Sequence, residues 1–239
     1  MRTKIYIILL LLFAGSAAIH SQTKQQEVYR LVQGLSDEDN GVIGQRVGEL
    51  KMFAVADFDA ASQAEIVRLL KRPNYPHYND IALLAGYIGV GKAELMQHYQ
   101  NPGLPVRQKW NIVLALARMG EKAPLEYCLS KIKKAPVNSY AINYLFPDLI
   151  YTRQKAAIDY CVEWLHSDEK LCQSPNPDYS ASIPCAYAIL ELLAPVIEAF
   201  PVPVDPVIGL ETGDYEKTLQ EVRKWFKAHP NYQIKTDTL

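Results

Sequence analysis

Two pairs of metal-ligating side chains stand at helical spacing in the sequence. Glu94 and His98 are four residues apart, and Glu163 and His166 are three apart, so each pair would share one face of a helix. A metal site in a protein uses three or four ligands, and no matching pair appears elsewhere in the sequence. A solvated helix face explains both pairs better, and we expect no metal and no cofactor.

The sequence contains no motif of a known catalytic type. Gly86, Gly89 and Gly91 are spaced like part of a phosphate-binding loop, but they follow a predicted helix rather than a strand. No serine-centred nucleophile elbow and no His-Glu-x-x-His motif occurs. We therefore expect no catalytic residues. The alternative is a hydrolase that uses carboxylates on a helical framework, which would need two or more acids to converge in a deep pocket.

The four cysteines allow three full disulfide pairings. Cys128 and Cys161 occupy apolar positions of predicted helices, where cysteine behaves as a small hydrophobe. Stacked helices would hold them about 8–10 Å apart, beyond the reach of a disulfide. Cys172 and Cys185 flank a predicted loop, so we predict a disulfide between them, with two free thiols as the alternative.

Tyrosine is abundant, with 15 in the chain, and one cluster stands out. Tyr75, His77 and Tyr78 lie in one loop between predicted helices. Aromatic side chains with polar tips are enriched at recognition surfaces, but they are also common as half-buried packing residues. The cluster therefore predicts a binding surface, with packing as the alternative.

The elements that position these residues are predicted to be helices, because apolar side chains recur at three- and four-residue spacing along most of the chain. The predicted helices cover residues 24–35, 42–55, 60–71, 79–89, 92–99, 105–119, 124–134, 139–152, 185–200 and 214–229, and a further helix contains Ile158–Val162. Pro147 should kink the helix that contains it. The β-branched stretch at 201–208 is rich in proline, which argues against a central strand. We predict an all-α fold of about nine to eleven helices in antiparallel pairs.

Two segments of the sequence repeat at a nearly fixed offset. Leu84–Gly89 aligns with Ala115–Gly120 at an offset of 31 residues, and Leu125–Leu129 aligns with Ile158–Val162 at an offset of 33. Such a period is typical of stacked helical repeats, in which each pair buries the apolar face of its neighbour. The sequence therefore predicts an α-α superhelix, that is, a solenoid of antiparallel helix pairs.

The Ala-Leu-Ala-Arg-Met-Gly segment at Ala115–Gly120 resembles the consensus of HEAT-like (armadillo-type) helical repeats. In that family an Ala-Leu-Gly-Arg-Ile-Gly type of turn closes the first helix of each pair, and Leu84–Gly89 is similar to the same motif. The resemblance covers residues 60–167, although the third unit lacks the closing glycine. It implies a solenoid that binds another macromolecule along a concave or edge surface. The family has no shared catalytic residues.

The first residues have the layout of a secretory signal peptide. Arg2 and Lys4 precede an apolar run of nine residues, Ile5–Phe13, and small residues follow. The run is too short to span a membrane, which takes about 20 residues. We predict a signal peptide at residues 1–21, cleaved after Ala18 or Ser21, and no membrane insertion of the mature chain. An uncleaved membrane anchor is the alternative.

The mature chain is predicted to be a single domain at residues 22–239, most regular at 60–167. It includes an irregular loop at 168–184 and a capping helix at 214–229. Cleavage removes two basic residues and no acid, leaving 23 basic and 26 acidic residues and a net charge of −3. Without a long basic run, the sequence argues against nucleic acid as a partner. We predict an exported scaffold, periplasmic or secreted, that binds a protein or peptide. A glycan-binding module that uses surface tyrosines is a further alternative.

Overall fold

The computed structural model describes residues 22–36, 39–174, 178, 180–205 and 209–237. The predicted signal peptide at residues 1–21 lies outside these residues. In the described part of the chain, no helix combines the length and the apolar character that a membrane span requires.

The described residues are mostly helical, which confirms the predicted all-α fold. In chain order the α-helices are α1 (residues 22–33), α2 (Asn40–Leu50), α3 (Ala60–Leu70), α4 (Tyr78–Ile88), α5 (Lys92–Tyr99), α6 (Val106–Arg118), α7 (Lys122–Ile132), α8 (Ser139–Tyr144), α9 (Phe146–Thr152), α10 (Lys155–Leu165), α11 (Ala186–Leu193) and α12 (Tyr215–Ala228). Short 3-10 turns occur at Gly34–Ser36, Val55–Asp57 and Ala194–Val196. Two short antiparallel strands, β1 (Val204–Asp205) and β2 (Gly209–Leu210), lie before α12.

The chain divides into two compact units, and the boundary falls between Ile112 and Val113 inside α6. The first unit contains α1 to α5 and the start of α6. The second contains the end of α6 and α7 to α12. The expectation of one continuous domain from residue 22 to residue 239, built as a solenoid, stays a prediction.

In the first unit, α4 packs against α2 and α3, and α3 also packs against α5. The apolar side chains that the helical spacing places on inner faces are buried there, as the hydrophobic effect requires. The fully buried side chains include Leu35, Ile43, Leu50, Ile66, Leu69, Leu70, Ile81, Leu84 and Leu95.

In the second unit, α10 packs against α9, α11 and α12, and α9 also contacts α7, α8 and α11. Two central helices thus supply most of the core contacts. The buried side chains include Phe146, Leu149, Ile158, Cys161, Leu165, Ile189, Leu190, Leu193, Leu219 and Val222.

The two repeated segments end their helices in the same way. Gly89 and Gly120 have φ of 79° and 87°, a left-handed conformation that glycine adopts without steric cost. The N–H after Gly89 donates to the Ala85 carbonyl at 3.0 Å, and the N–H after Gly120 donates to the Leu116 carbonyl at 3.0 Å. This six-to-one bond is the helix ending expected of a C-terminal glycine. The 31-residue period is therefore a period of backbone geometry as well as of sequence.

Three predicted helices differ clearly from the structure. The helix predicted at 42–55 ends at Leu50, and a 3-10 turn follows at Val55–Asp57. A proline lies at each of the other two differences. The helix predicted at 139–152 is divided into α8 and α9, with Pro147 in the first turn of α9. The helix predicted at 185–200 ends at Leu193, and Pro195 lies in the 3-10 turn that follows. Proline has no N–H to donate and crowds the preceding turn, so the chain starts a new element instead of kinking an old one.

Candidate functional site

Both residues of the first candidate metal-ligand pair, Glu94 and His98, lie close to other groups. His98 Nε2 lies 2.9 Å from the carbonyl oxygen of Leu70, and the Glu94 carboxylate lies 3.9 Å from Lys71 Nζ. At the second pair, burial and the nearby charge of Arg223 lower the pKa of His166. No group of three or more His, Cys, Asp or Glu side chains in the described ranges is placed to hold a metal ion.

The predicted surface at Tyr75, His77 and Tyr78 lies immediately before and at the start of α4. Tyr75 and Tyr78 are buried, with 7% and 4% of their surface exposed. The Tyr75 hydroxyl donates to the Leu35 carbonyl, whereas the Tyr78 hydroxyl has no partner among the described residues, and burial raises its pKa. His77 has φ of 57°, and its Nδ1 lies 3.4 Å from the Asp80 carboxylate. The rings thus pack inward, and a ligand would meet only a small part of them.

These three residues line a pocket of about 560 Å³, here called the α4 pocket. Its other polar side chains include four carboxamides, from Asn74, Asn79, Gln108 and Asn111. The Oδ1 atom of Asn79 is buried and has no partner in the described part of the chain. The contribution of α6 to this pocket was not predicted from the sequence. The sequence feature that could have indicated this contribution is the pair of polar residues Gln108 and Asn111, which are three positions apart on one helix face.

Cys172 and Cys185, the pair predicted from the sequence, are joined by a disulfide with a Cα–Cα distance of 5.0 Å. The backbones of Cys172 and Ile183 exchange two hydrogen bonds, of 3.1 and 2.8 Å, beside it. The bond therefore ties an extended loop to the start of α11. Cys128 and Cys161 are free and buried, and burial raises the pKa of both thiols, that of Cys128 to about 12.

A second pocket, of about 530 Å³, lies beside this disulfide and is here called the disulfide cleft. It is lined by apolar side chains from α8, the loop and α11, namely Ile142, Ile183, Pro184 and Ala188. Polar side chains also line it, among them Ser139, Asn143, Gln173 and Glu191. An apolar surface with a few polar groups is the usual make-up of a binding pocket.

Tyr187 and Tyr215 also line the disulfide cleft, and their ring centroids are 5.6 Å apart. Each hydroxyl donates to a carboxylate on the other's helix: Tyr187 to Glu216 at 2.9 Å, and Tyr215 to Glu191. The bond to Glu191, with partial burial, raises the pKa of Tyr215 to about 12. Burial, together with the bond to Glu216, raises the pKa of Tyr187. Both phenols stay protonated at neutral pH and hold the carboxylates in place.

Two more tyrosines lie on α8, which supplies part of the cleft lining. Tyr140 and Tyr144 are 65% and 64% exposed, and their ring centroids are 5.0 Å apart. Their sequence neighbours Ser139 and Asn143 line the cleft, so the pair lies on the adjacent face of the same helix. This pair was not predicted from the sequence, although two tyrosines at a four-residue spacing on a helix could have indicated it.

The hydrolase alternative needs two converging acids, and neither pocket supplies them from its described lining. Glu191 is the acid in the disulfide cleft, and Asp80 is the acid in the α4 pocket. The Glu191 carboxylate already accepts the Tyr215 hydroxyl. A pair of acids flanking one reacting bond is therefore not assembled in either place.

Comparisons of the chain with protein-family models, with curated proteins and with solved structures found no match. The resemblance to HEAT-like repeats therefore rests on the repeated sequence segments and on their shared helix endings, and membership of that family stays a prediction.

Proposed function

We propose that this chain is an exported, non-catalytic α-helical scaffold that binds a segment of another protein. The observation that carries the proposal is the disulfide cleft, an aromatic and apolar pocket whose neighbouring helix face exposes two tyrosines. Aromatic side chains that are exposed next to a pocket are typical of surfaces where proteins meet.

The cleft has the size and chemistry for part of a peptide segment. Its volume of about 530 Å³ lies in the range of pockets that bind small ligands, which is enough for one or more peptide side chains. The carboxamide of Asn143 lines the cleft and can bond a peptide backbone. The Ser139 hydroxyl accepts the Gln173 N–H at 2.8 Å and keeps its own proton to donate. Tyr140 and Tyr144 would extend the contact along α8.

Export is part of the proposal because a wall of the cleft depends on a disulfide. Structural disulfides persist in oxidising compartments and are rare in the cytosol. The signal-peptide layout at residues 1–21 is consistent with that compartment. N-terminal sequencing of the protein from its native host tests this directly. A mature chain should begin at residue 19 or residue 22, and retention of Met1 would argue against export.

Peptide display on the mature protein tests the binding function. We expect recovered peptides to bind with micromolar affinity and to lose about tenfold when Tyr140 and Tyr144 are both changed to Ser. Both side chains are exposed, so the double variant should fold normally. Tyr127→Ser is the matched control, since Tyr127 is 38% exposed but does not line the cleft. No enrichment, or equal binding by the double variant, would count against the proposal.

Glycan binding is a second candidate function, and the α4 pocket favours it. Four carboxamides line the pocket, those of Asn74, Asn79, Gln108 and Asn111. Hydroxyl-rich ligands can satisfy such groups. The test is a glycan array with Asn111→Ala, a side chain that lines the pocket. Variants of Tyr75 or Tyr78 would confuse binding with folding because both rings are buried. Binding that survives Asn111→Ala would argue against this site.

A further inference from the structure

The disulfide cleft has an uneven charge. Among its described lining residues, Glu191 is the one charged side chain. Glu216 lies behind the Tyr187 hydroxyl, which it binds at 2.9 Å. The Glu191 carboxylate thus lines the cleft, and the Glu216 carboxylate is hydrogen-bonded to a tyrosine that lines it.

One cation near Tyr187, Arg223, is occupied elsewhere. Its Nη2 lies 2.8 Å from the Asp168 carboxylate, and its Nε donates to the Leu165 carbonyl at 2.8 Å. Arg223 does not line the cleft. The negative charge of Glu191 is therefore left without a basic side chain among the lining residues that the structure describes.

We propose that the disulfide cleft binds an arginine or lysine side chain of the partner protein. This inference rests on the proposed function and specifies what its site recognises. The aliphatic stem of such a side chain would lie on Ile183, Pro184 and Ala188. Its charged head would reach Glu191 and the faces of Tyr187 and Tyr215.

Three features of the cleft fit a cationic side chain better than a neutral one. A carboxylate held by a single phenol keeps free lone pairs for a second donor. Aromatic faces attract cations through the ring quadrupole. A long basic side chain buries its stem on apolar surface while its head stays with polar groups, and the lining of this cleft contains both kinds of side chain. Charge complementarity of this kind also favours the correct partner over others.

The test is a nuclear magnetic resonance titration of ¹⁵N-labelled mature protein with Nα-acetyl-arginine amide. The matched probe is Nα-acetyl-citrulline amide, which has nearly the same shape but no charge. We expect the arginine probe to shift resonances of residues around Tyr187 and Ala188 and to bind about fivefold to tenfold more tightly than citrulline. Raising the salt concentration should reduce that preference. Equal binding of the two probes would overturn the proposal.

Two substitutions locate the charge. Glu191→Gln should remove the preference for arginine, while the amide oxygen can still accept the Tyr215 hydroxyl. Glu198→Gln makes the same charge change at an exposed residue outside the cleft lining and should have no effect. Tyr215→Phe keeps the ring and frees the Glu191 carboxylate, so arginine binding should be unchanged or tighter. A loss with Tyr215→Phe equal to that with Glu191→Gln would assign binding to the hydroxyl and overturn the proposal.

The two proposals fail in different ways. If display recovers segments that depend on Tyr140 and Tyr144 but the titration shows no preference for arginine, the charge inference is wrong and the scaffold function stands. If display recovers nothing while arginine still shifts resonances in the cleft, the scaffold function is wrong and the side-chain site stands.

Discussion

Tyr75 and Tyr78 are three residues apart and both buried, but their hydroxyl groups differ in hydrogen bonding. Tyr75 donates its hydroxyl proton to the Leu35 carbonyl, whereas the Tyr78 hydroxyl has no partner among the described residues. A buried polar group contributes to stability only if it is hydrogen-bonded. The same side chain is therefore expected to be stabilising at one position and costly at the other.

Replacing each tyrosine by phenylalanine tests this difference. Tyr75→Phe should lower the free energy of unfolding by about 1–3 kcal/mol, because it leaves the buried Leu35 carbonyl without a donor. Tyr78→Phe should be neutral or stabilising, because it removes an unpaired hydroxyl. Urea unfolding followed by circular dichroism measures both. Equal losses in the two variants would contradict the assignment.

A second prediction about individual residues concerns the buried thiols of Cys128 and Cys161. Burial raises the pKa of both, so almost no thiolate is present near neutral pH, and thiolate is the reactive form. In the folded protein at pH 8, neither should react with a disulfide reagent such as DTNB. Unfolding in guanidinium should release two reactive thiols. Rapid reaction of either cysteine before unfolding would show that its thiol is not buried in the folded protein.

At the scale of helices, side chains from one element bind the carbonyls that end another. The last four carbonyls of a helix have no partner within it, so they need other donors. The donors are His98, Gln154 and Arg223, and their acceptors are the carbonyls of Leu70, Arg118 and Leu165, the last residues of α3, α6 and α10. Each bond ties a helix end to a later segment within the same unit.

Substitution of Arg118 is the strongest test of these hydrogen bonds between side chains and helix carbonyls. It is 9% exposed, its Nη1 donates to the Tyr151 carbonyl at 2.7 Å, and its guanidinium lies 5.0 Å from the Tyr151 ring centroid. Arg118→Ala should lower the free energy of unfolding by about 2–3 kcal/mol. Arg107→Ala, at an exposed arginine of the same helix, should cost less than about 0.5 kcal/mol. Thermal or urea unfolding of both variants decides the matter, and equal effects would refute it.

At the scale of the whole molecule, each compact unit has its own core and its own pocket. The second unit also has the disulfide, which closes a loop between residues 13 positions apart. Cross-linking a loop of this length restricts the unfolded chain. The disulfide should therefore stabilise the second unit in which the cleft lies.

Reduction of the disulfide measures this contribution. A reducing agent should lower the free energy of unfolding by about 3 kcal/mol. The Cys172→Ser/Cys185→Ser double variant should show the same loss without reductant and no further loss with it. Stability that does not change on complete reduction, checked by thiol counting, would show that the loop needs no covalent closure.

Much of the fold could be predicted because its signals are local. The inner faces of α3 and α4 follow from apolar spacing, and the endings at Gly89 and Gly120 follow from a residue that tolerates positive φ. Pro147 marked a disturbance at the right place, although its outcome was a new helix rather than a kink. The Cys172–Cys185 disulfide could be predicted for the same reason, because both cysteines flank one loop.

The sequence by itself therefore determined the helices, most of their ends and which cysteines stand at a loop, because each depends on residues close together in the chain. The tertiary structure alone decided that Tyr75 and Tyr78 pack inward. It also decided that Tyr187 and Glu191 of α11 meet Glu216 and Tyr215 of α12 beside the disulfide. Those contacts join segments separated by more than twenty residues. Spacing along a helix cannot predict them, because they depend on which faces the packed core leaves side by side.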